Sequence, residues 1–185
     1  MVASGSILRG QAAPGKQPME GFSDEDIALL GEIAETIIPA TDIPGAKAAE
    51  VGPFMAMMVT DCYSGPQHAV FKKGLGQINE ASKARFGTSF VAATPAQRTE
   101  LANALDAEQK AQHAAKNGDG AGKKTEDAAK KPEDSEEHYF RMMKELAILG
   151  YFSSKIGATQ AVRYIEVPTY YNGDVPYTKG ERAWY

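Results

Sequence analysis

The stretch Ser23-Asp24-Glu25-Asp26-Ile27-Ala28-Leu29-Leu30-Gly31-Glu32-Ile33-Ala34-Glu35-Thr36-Ile37-Ile38-Pro39 decides the fold class. Ile27, Leu30, Ile33 and Ile37 recur every three or four residues, which places them on one stripe of a helix. Ser23 offers a side-chain acceptor to the free amides of the first turn, and Asp24, Glu25 and Asp26 follow where the helix dipole is positive. Pro39 forces Ile38 out of helical backbone geometry and ends the element.

The same alternation of periodic run and breaker continues down the chain. Thr41-Asp42-Ile43-Pro44-Gly45 is a turn. A second helical run starts near Ala46 and is interrupted at Gly52, with Pro53 opening a fresh helix whose missing N–H costs nothing there. Phe54, Met55, Met58, Val59 and Cys62 form its expected buried face. Gly65-Pro66 breaks and restarts the chain, and Val70, Phe71, Leu75 and Ile78 carry the period to about Phe86. Thr94-Pro95-Ala96-Gln97 combines a capping threonine, an N-terminal proline and a glutamine three residues on, and Leu101 and Leu105 give that helix its apolar side. The pattern resumes at Ser135, with Phe140, Met143, Leu146 and Ala147 leading to Leu149, and is closed by Gly150 and the pair Tyr151-Phe152. Ala161 to Val167 fits either a short helix or an extended run, and no helix is expected past Pro168.

Three stretches depart from this pattern. Residues 1–21 are studded with glycine and proline and predict a flexible lead-in without a twin arginine or a secretory apolar run, so the chain is expected to be cytoplasmic or to have lost an export signal. From Asp106 to Glu137 there is no Val, Ile, Leu, Met, Cys or aromatic residue, and fifteen of these 32 residues carry charge of mixed sign. Such a stretch cannot bury enough apolar surface to offset its ordering entropy, so about 114–134 is expected to be a solvated, flexible insertion. The final 22 residues, by contrast, hold five tyrosines and the single tryptophan among turn signals. That tail is expected to lie on something, either its own helices or a second protein.

Composition and motif searches remove many functions. A net charge of −4 argues against nucleic-acid binding, and no apolar run reaches the roughly 18 residues of a membrane span. One cysteine cannot build a multi-thiolate metal site, and His68, His113 and His138 are not spaced as ligand pairs. Gly74-Leu75-Gly76 lies in a helical pattern with no preceding strand, which disfavours a dinucleotide loop, and no G-x-S-x-G elbow is present. Cys62 follows Asp61, which opposes thiolate formation, and is read as a core or interface packing residue, with a disulfide to another chain as the lesser alternative if the protein is exported. Glu32/Glu35 and Glu133/Glu137 are read as solvated faces, His68 and His138 as surface histidines, and Met55, Met57, Met58, Met142 and Met143 as core.

Three further stretches carry a resemblance: Thr36-Ile37-Ile38-Pro39-Ala40-Thr41-Asp42-Ile43-Pro44-Gly45-Ala46; Lys144-Glu145-Leu146 through Leu149-Gly150-Tyr151-Phe152-Ser153-Ser154 with Ile156-Gly157-Ala158-Thr159; and Tyr164 to Val175, with Gly173-Asp174-Val175-Pro176 near its end. Each resembles a segment of the gluconate 2-dehydrogenase subunit 3 family, over about residues 23–105 and 136–185. The resemblance implies a non-catalytic, gamma-type small subunit of a bacterial sugar or sugar-acid dehydrogenase. In such complexes a large subunit of the glucose–methanol–choline type carries FAD and oxidises the sugar, and a c-type cytochrome subunit often takes the electrons. It also implies a periplasmic location, because the small subunit usually carries a twin-arginine signal, helps its folded partner through export and stays bound. The lead-in departs from that pattern, so location rests on the resemblance alone.

An all-α domain over 22–185 is therefore expected, an irregular bundle of about five to six helices with an extended, aromatic-rich C-terminal tail. No catalytic, cofactor-binding or metal-binding residue is assigned to this chain, FAD being expected in the partner. Tyr151, Phe152, Tyr164, Tyr170, Tyr171, Tyr177 and Trp184 are the expected partner interface. Two rivals stand beside this reading: a self-contained helical binding protein for a sugar or other small ligand, its pocket lined by the tail, and an enzyme working through Glu32 and Glu35.

Overall fold

In a computed structural model that describes residues 21–117, 137–167, 169–170, 172–176 and 178–184, the first helix begins as its sequence predicts. The Ser23 hydroxyl accepts the Asp26 N–H at 3.1 Å, and the Asp26 carboxylate accepts the Ser23 N–H at 3.0 Å. Helix α1 spans Asp24–Ile37, α2 Val51–Cys62, α3 Gly65–Phe86, α4 Pro95–Asn117 and α5 Tyr139–Ser153, followed by a π-helical turn at Gly157–Ala161. Among the described residues there is no β-strand, only one isolated bridge between Arg163 and Trp184. The all-α expectation holds.

Helices α1 and α5 each pack against all four of the other α-helices, and together they carry the centre of the core. Leu30 and Ile33 of α1 meet Val51, Met55 and Val59 of α2, Phe71 and Ile78 of α3, Leu101 and Leu105 of α4, and Phe140, Met143 and Leu146 of α5 in one buried cluster. Glycine sets the closest approach: a Cβ on Gly52 would lie 2.8 Å from both the Gly31 amide nitrogen and the Ile27 carbonyl oxygen, so α2 crosses α1 backbone against backbone. Gly52 is thus a contact point inside α2, not a break.

Several boundaries differ from the sequence reading. Residues 46–50 form turns and not helix, ending at Glu50 in the left-handed region (φ 53°), and α2 opens at Val51 with Pro53 already in its first turn. Proline is tolerated there because first-turn amides have no helical partner. The alanine-rich beginning of the charged stretch is helical to Asn117, where the Asn117-Gly118 stop is read, so α4 takes in residues 114–117 of the expected insertion; Gln109 within it is buried. Helix α5 continues through Gly150, Tyr151 and Phe152 instead of closing there. Of the expected buried face of α2, Met55 and Val59 are buried, Phe54 and Met58 are half-buried, and Cys62 is exposed at the helix end. Met57 is also 42% exposed, in contrast to the core role expected of it. His138 is no surface residue: it is the N-cap of α5, its Nδ1 accepting the Phe140 N–H at 3.2 Å. The lead-in 1–20 and residues 118–136, most of the expected insertion, lie outside the described residues.

Two carboxylates tie the helices together. Glu32 of α1 accepts both Lys47 and Arg98, and Arg98 also donates from Nε to the Ala93 carbonyl at 3.0 Å and from Nη2 to the Val91 carbonyl at 2.7 Å. Burial pushes the Glu32 carboxyl upward, but the Lys47 hydrogen bond and the Arg98 charge outweigh it and hold the group below its ordinary value. Asp106 of α4 accepts Lys110 at 2.7 Å and Lys144 of α5 at 2.5 Å, and these two hydrogen bonds hold its carboxyl well below the usual range.

Two outcomes follow. Gly52→Ala should destabilise the chain by about 1–3 kcal/mol through overpacking against backbone, whereas Gly31→Ala, whose Cβ would meet nothing within 4 Å, should be stabilising by up to about 1 kcal/mol. Urea midpoints of the two variants check this. A carboxyl depressed in the folded state contributes stability above its unfolded pKa of about 4 and loses it as pH falls through the folded value. Asp106→Asn should therefore be less stable than the parent at pH 7, with the gap narrowing on acidification below about pH 4. Urea titrations at a series of pH values measure that gap.

Candidate partner interface

The end of α5 divides the aromatic pair between inside and outside. Consecutive helical residues are turned about 100° apart, and at this point on α5 that rotation separates Tyr151 from Phe152. Tyr151 is 4% exposed, and its hydroxyl donates to the Pro44 carbonyl at 2.9 Å. Burial, with a smaller contribution from the Glu35 charge, raises its phenol above the ordinary value. Tyr151 therefore belongs to this chain's own core and drops out of the expected interface. Phe152 points outward, 36% exposed, its ring edge-on to Tyr151 at 5.3 Å. Ile148 and Leu149 stand exposed one turn earlier, so α5 ends in an apolar outer strip.

Ser154 and Gly157 turn the chain over the end of α5. The Ser154 hydroxyl donates to the Tyr151 carbonyl at 2.6 Å and accepts the Gly157 N–H at 3.0 Å. A Cβ on Gly157 would collide with the Tyr151 carbonyl, so only glycine admits this path. After the π turn, Val162 is the last buried residue among those described. Beyond it the tail forms an exposed arm rather than a coat over the bundle: Tyr164, Ile165, Val167, Tyr170, Val175 and Trp184 are each between 49% and 77% exposed. The Arg163 guanidinium lies 4.3 Å over the Trp184 ring. Tyr171 and Tyr177, the remaining expected interface residues, lie outside the described residues.

The polar clusters are occupied with structural work that the sequence did not disclose. Glu35 accepts the Ala40 N–H at 2.9 Å and the Lys47 N–H at 2.7 Å, and with Glu32 it folds residues 40–47 against α1. These carboxylates are ties, not the solvated face expected of them. A carboxylate that accepts a backbone amide 12 residues away leaves no periodic trace in sequence, so nothing there pointed to Glu35 as an organiser. An open groove of about 360 Å³ lies between α4 and α5, lined by Gln109, Lys110, His113, Arg141, Lys144, Glu145 and Ile148 among others. Lys110 and Lys144 there are held by Asp106, and Arg141 donates to Glu145 at 2.8 Å. Among the described residues no group of three or more His, Cys, Asp or Glu is placed to hold a metal ion, and no helix is long and apolar enough to cross a membrane. What the described surface offers is apolar area.

No curated protein and no solved structure matches the chain. The profile of the family described as gluconate 2-dehydrogenase subunit 3 matches residues 24–168. That span takes in α1 to α5, the Thr36–Ala46 loop and the π turn, but ends before most of the arm, so residues 169–185 are not covered as the sequence resemblance had suggested. Matched over well more than half its length, the chain belongs to the gluconate 2-dehydrogenase subunit 3 family, whose description makes it a subunit of a dehydrogenase complex.

Proposed function

We propose that this chain is the non-catalytic small subunit of a periplasmic, FAD-dependent sugar or sugar-acid dehydrogenase. It binds and stabilises a flavoprotein of the glucose–methanol–choline type and accompanies that partner through folding and export. FAD and the oxidation belong to the partner, and a c-type cytochrome subunit receives the electrons. One observation carries the reading. Of the eleven large hydrophobic residues exposed among those described, nine fall between Ile148 and Trp184. Scattered exposed hydrophobics are ordinary, but a concentration of them marks an interaction surface.

The anchors are Phe152 on α5 and Tyr164 and Tyr170 on the arm, joined by Trp184 and, from the sequence, Tyr171 and Tyr177. Rings of this kind carry large contact area at small entropic cost and dominate interfaces when they enter pockets. The paired carboxylates and lysines supply structure in this scheme and take no part in the reaction.

Co-expression of the large subunit with a chain ending at Glu166 tests the arm. Loss of complex yield, with the helical circular dichroism of the small subunit retained, is the expected result. Undiminished complex would overturn the reading. Phe152→Ala should leave the urea midpoint of the isolated chain nearly unchanged and weaken association by about 2 kcal/mol, measured by titrating the purified subunits.

A further inference from the structure

The arm leaves the bundle at Arg163 and returns to the same place at residues 181–184. The Arg163 N–H donates to the Ala183 carbonyl at 2.7 Å, within the parallel bridge between Arg163 and Trp184. The Arg163 side chain donates from Nη1 to Glu181 at 3.1 Å and lays its guanidinium over the Trp184 indole at 4.3 Å. Arg182 reaches back to the π turn and donates to the Gln160 carbonyl at 2.7 Å and the Thr159 carbonyl at 3.2 Å, occupying carbonyls at the end of that turn. Two arginines, one acid and one indole thus close residues 164–180 into a loop at a single neck.

The neck is a surface feature, and its contacts are individually weak. An exposed ion pair contributes about 0–1 kcal/mol, and an exposed cation–π contact about 0.5–1 kcal/mol. Such a neck adds little to the stability of a bundle whose core is complete without it. Its effect falls on the arm, where closing the ends removes much of the freedom a partner would otherwise have to freeze. We infer that Arg163 is a positioning residue for complex formation: with Glu181, Arg182 and Trp184 it clasps the C-terminal arm into a closed loop before the partner binds. The inference rests on the reading of the arm as the partner surface.

Trp184 is the only tryptophan in the chain, so its fluorescence reports on the clasp alone. In the full chain, Arg163→Ala should shift its emission to the red and lower its anisotropy while the helical circular dichroism stays unchanged. Arg163→Lys keeps a cation but loses the planar stack, and should fall between the two. Arg182→Ala, which removes the contacts to Thr159 and Gln160, provides a second route to the same release. Affinity for the co-purified large subunit should fall about tenfold in Arg163→Ala, the effect of one or two side chains no longer held in advance. Unchanged Trp184 emission in both alanine variants would overturn the clasp. Released Trp184 with undiminished affinity would overturn the positioning role, while leaving the partner reading intact provided that truncation at Glu166 still abolishes the complex. If that truncation too leaves the complex whole, it is the partner reading that fails.

Discussion

The hydrogen bond from Tyr151 to the Pro44 carbonyl is the contact on which the organisation of the molecule turns. It joins the last turn of α5 to the loop between α1 and α2, two segments separated by more than a hundred residues. On one side, Glu35 and Glu32 fold that loop; on the other, the Tyr151 backbone carbonyl receives Ser154 and leaves room for nothing larger than Gly157. A buried phenol left without an acceptor would cost about 1–3 kcal/mol, so the loop must present Pro44 and α5 must end where it does. The direction in which the arm leaves the bundle is set at this junction.

Two of the stretches that carry the resemblance are therefore neighbours in space. Thr36–Ala46 holds the acceptor, and Leu149–Ser154 holds the donor and the turn. The two stretches share a contact within this chain. A catalytic reading of Glu32 and Glu35 would ask the same oxygens that accept Lys47, Arg98 and two loop amides to exchange protons with a ligand as well.

Much of the architecture could be read from periodicity and breakers. The α1 stripe, the Ser23 and Thr94 caps and the proline and glycine stops placed the helices, because each acts over four residues or fewer. What escaped was long-range. Gly52 read as a break because its reason, the α1 backbone 2.8 Å from where a Cβ would stand, lies more than twenty residues away in sequence. Cys62 read as buried because the stripe of α2 was extended to the very end of the helix, where no neighbour covers it. The expected interface residues were legible as rings but not as exposed rings. Tyr151 and Phe152 are adjacent, both aromatic and both helical, and only their rotation about α5 sends one into the core and the other to solvent.

That last distinction bears on function. The core of the bundle closes with Val162, and no described residue after it is buried. The hydrophobic effect that selects Leu30 or Ile33 therefore cannot select Tyr170, which is 77% exposed, or Val167, which is 73% exposed. Solubility selects against both. Apolar side chains that neither build the fold nor favour the free monomer need a gain from elsewhere, and burial against another polypeptide is the gain that a subunit of a complex would obtain.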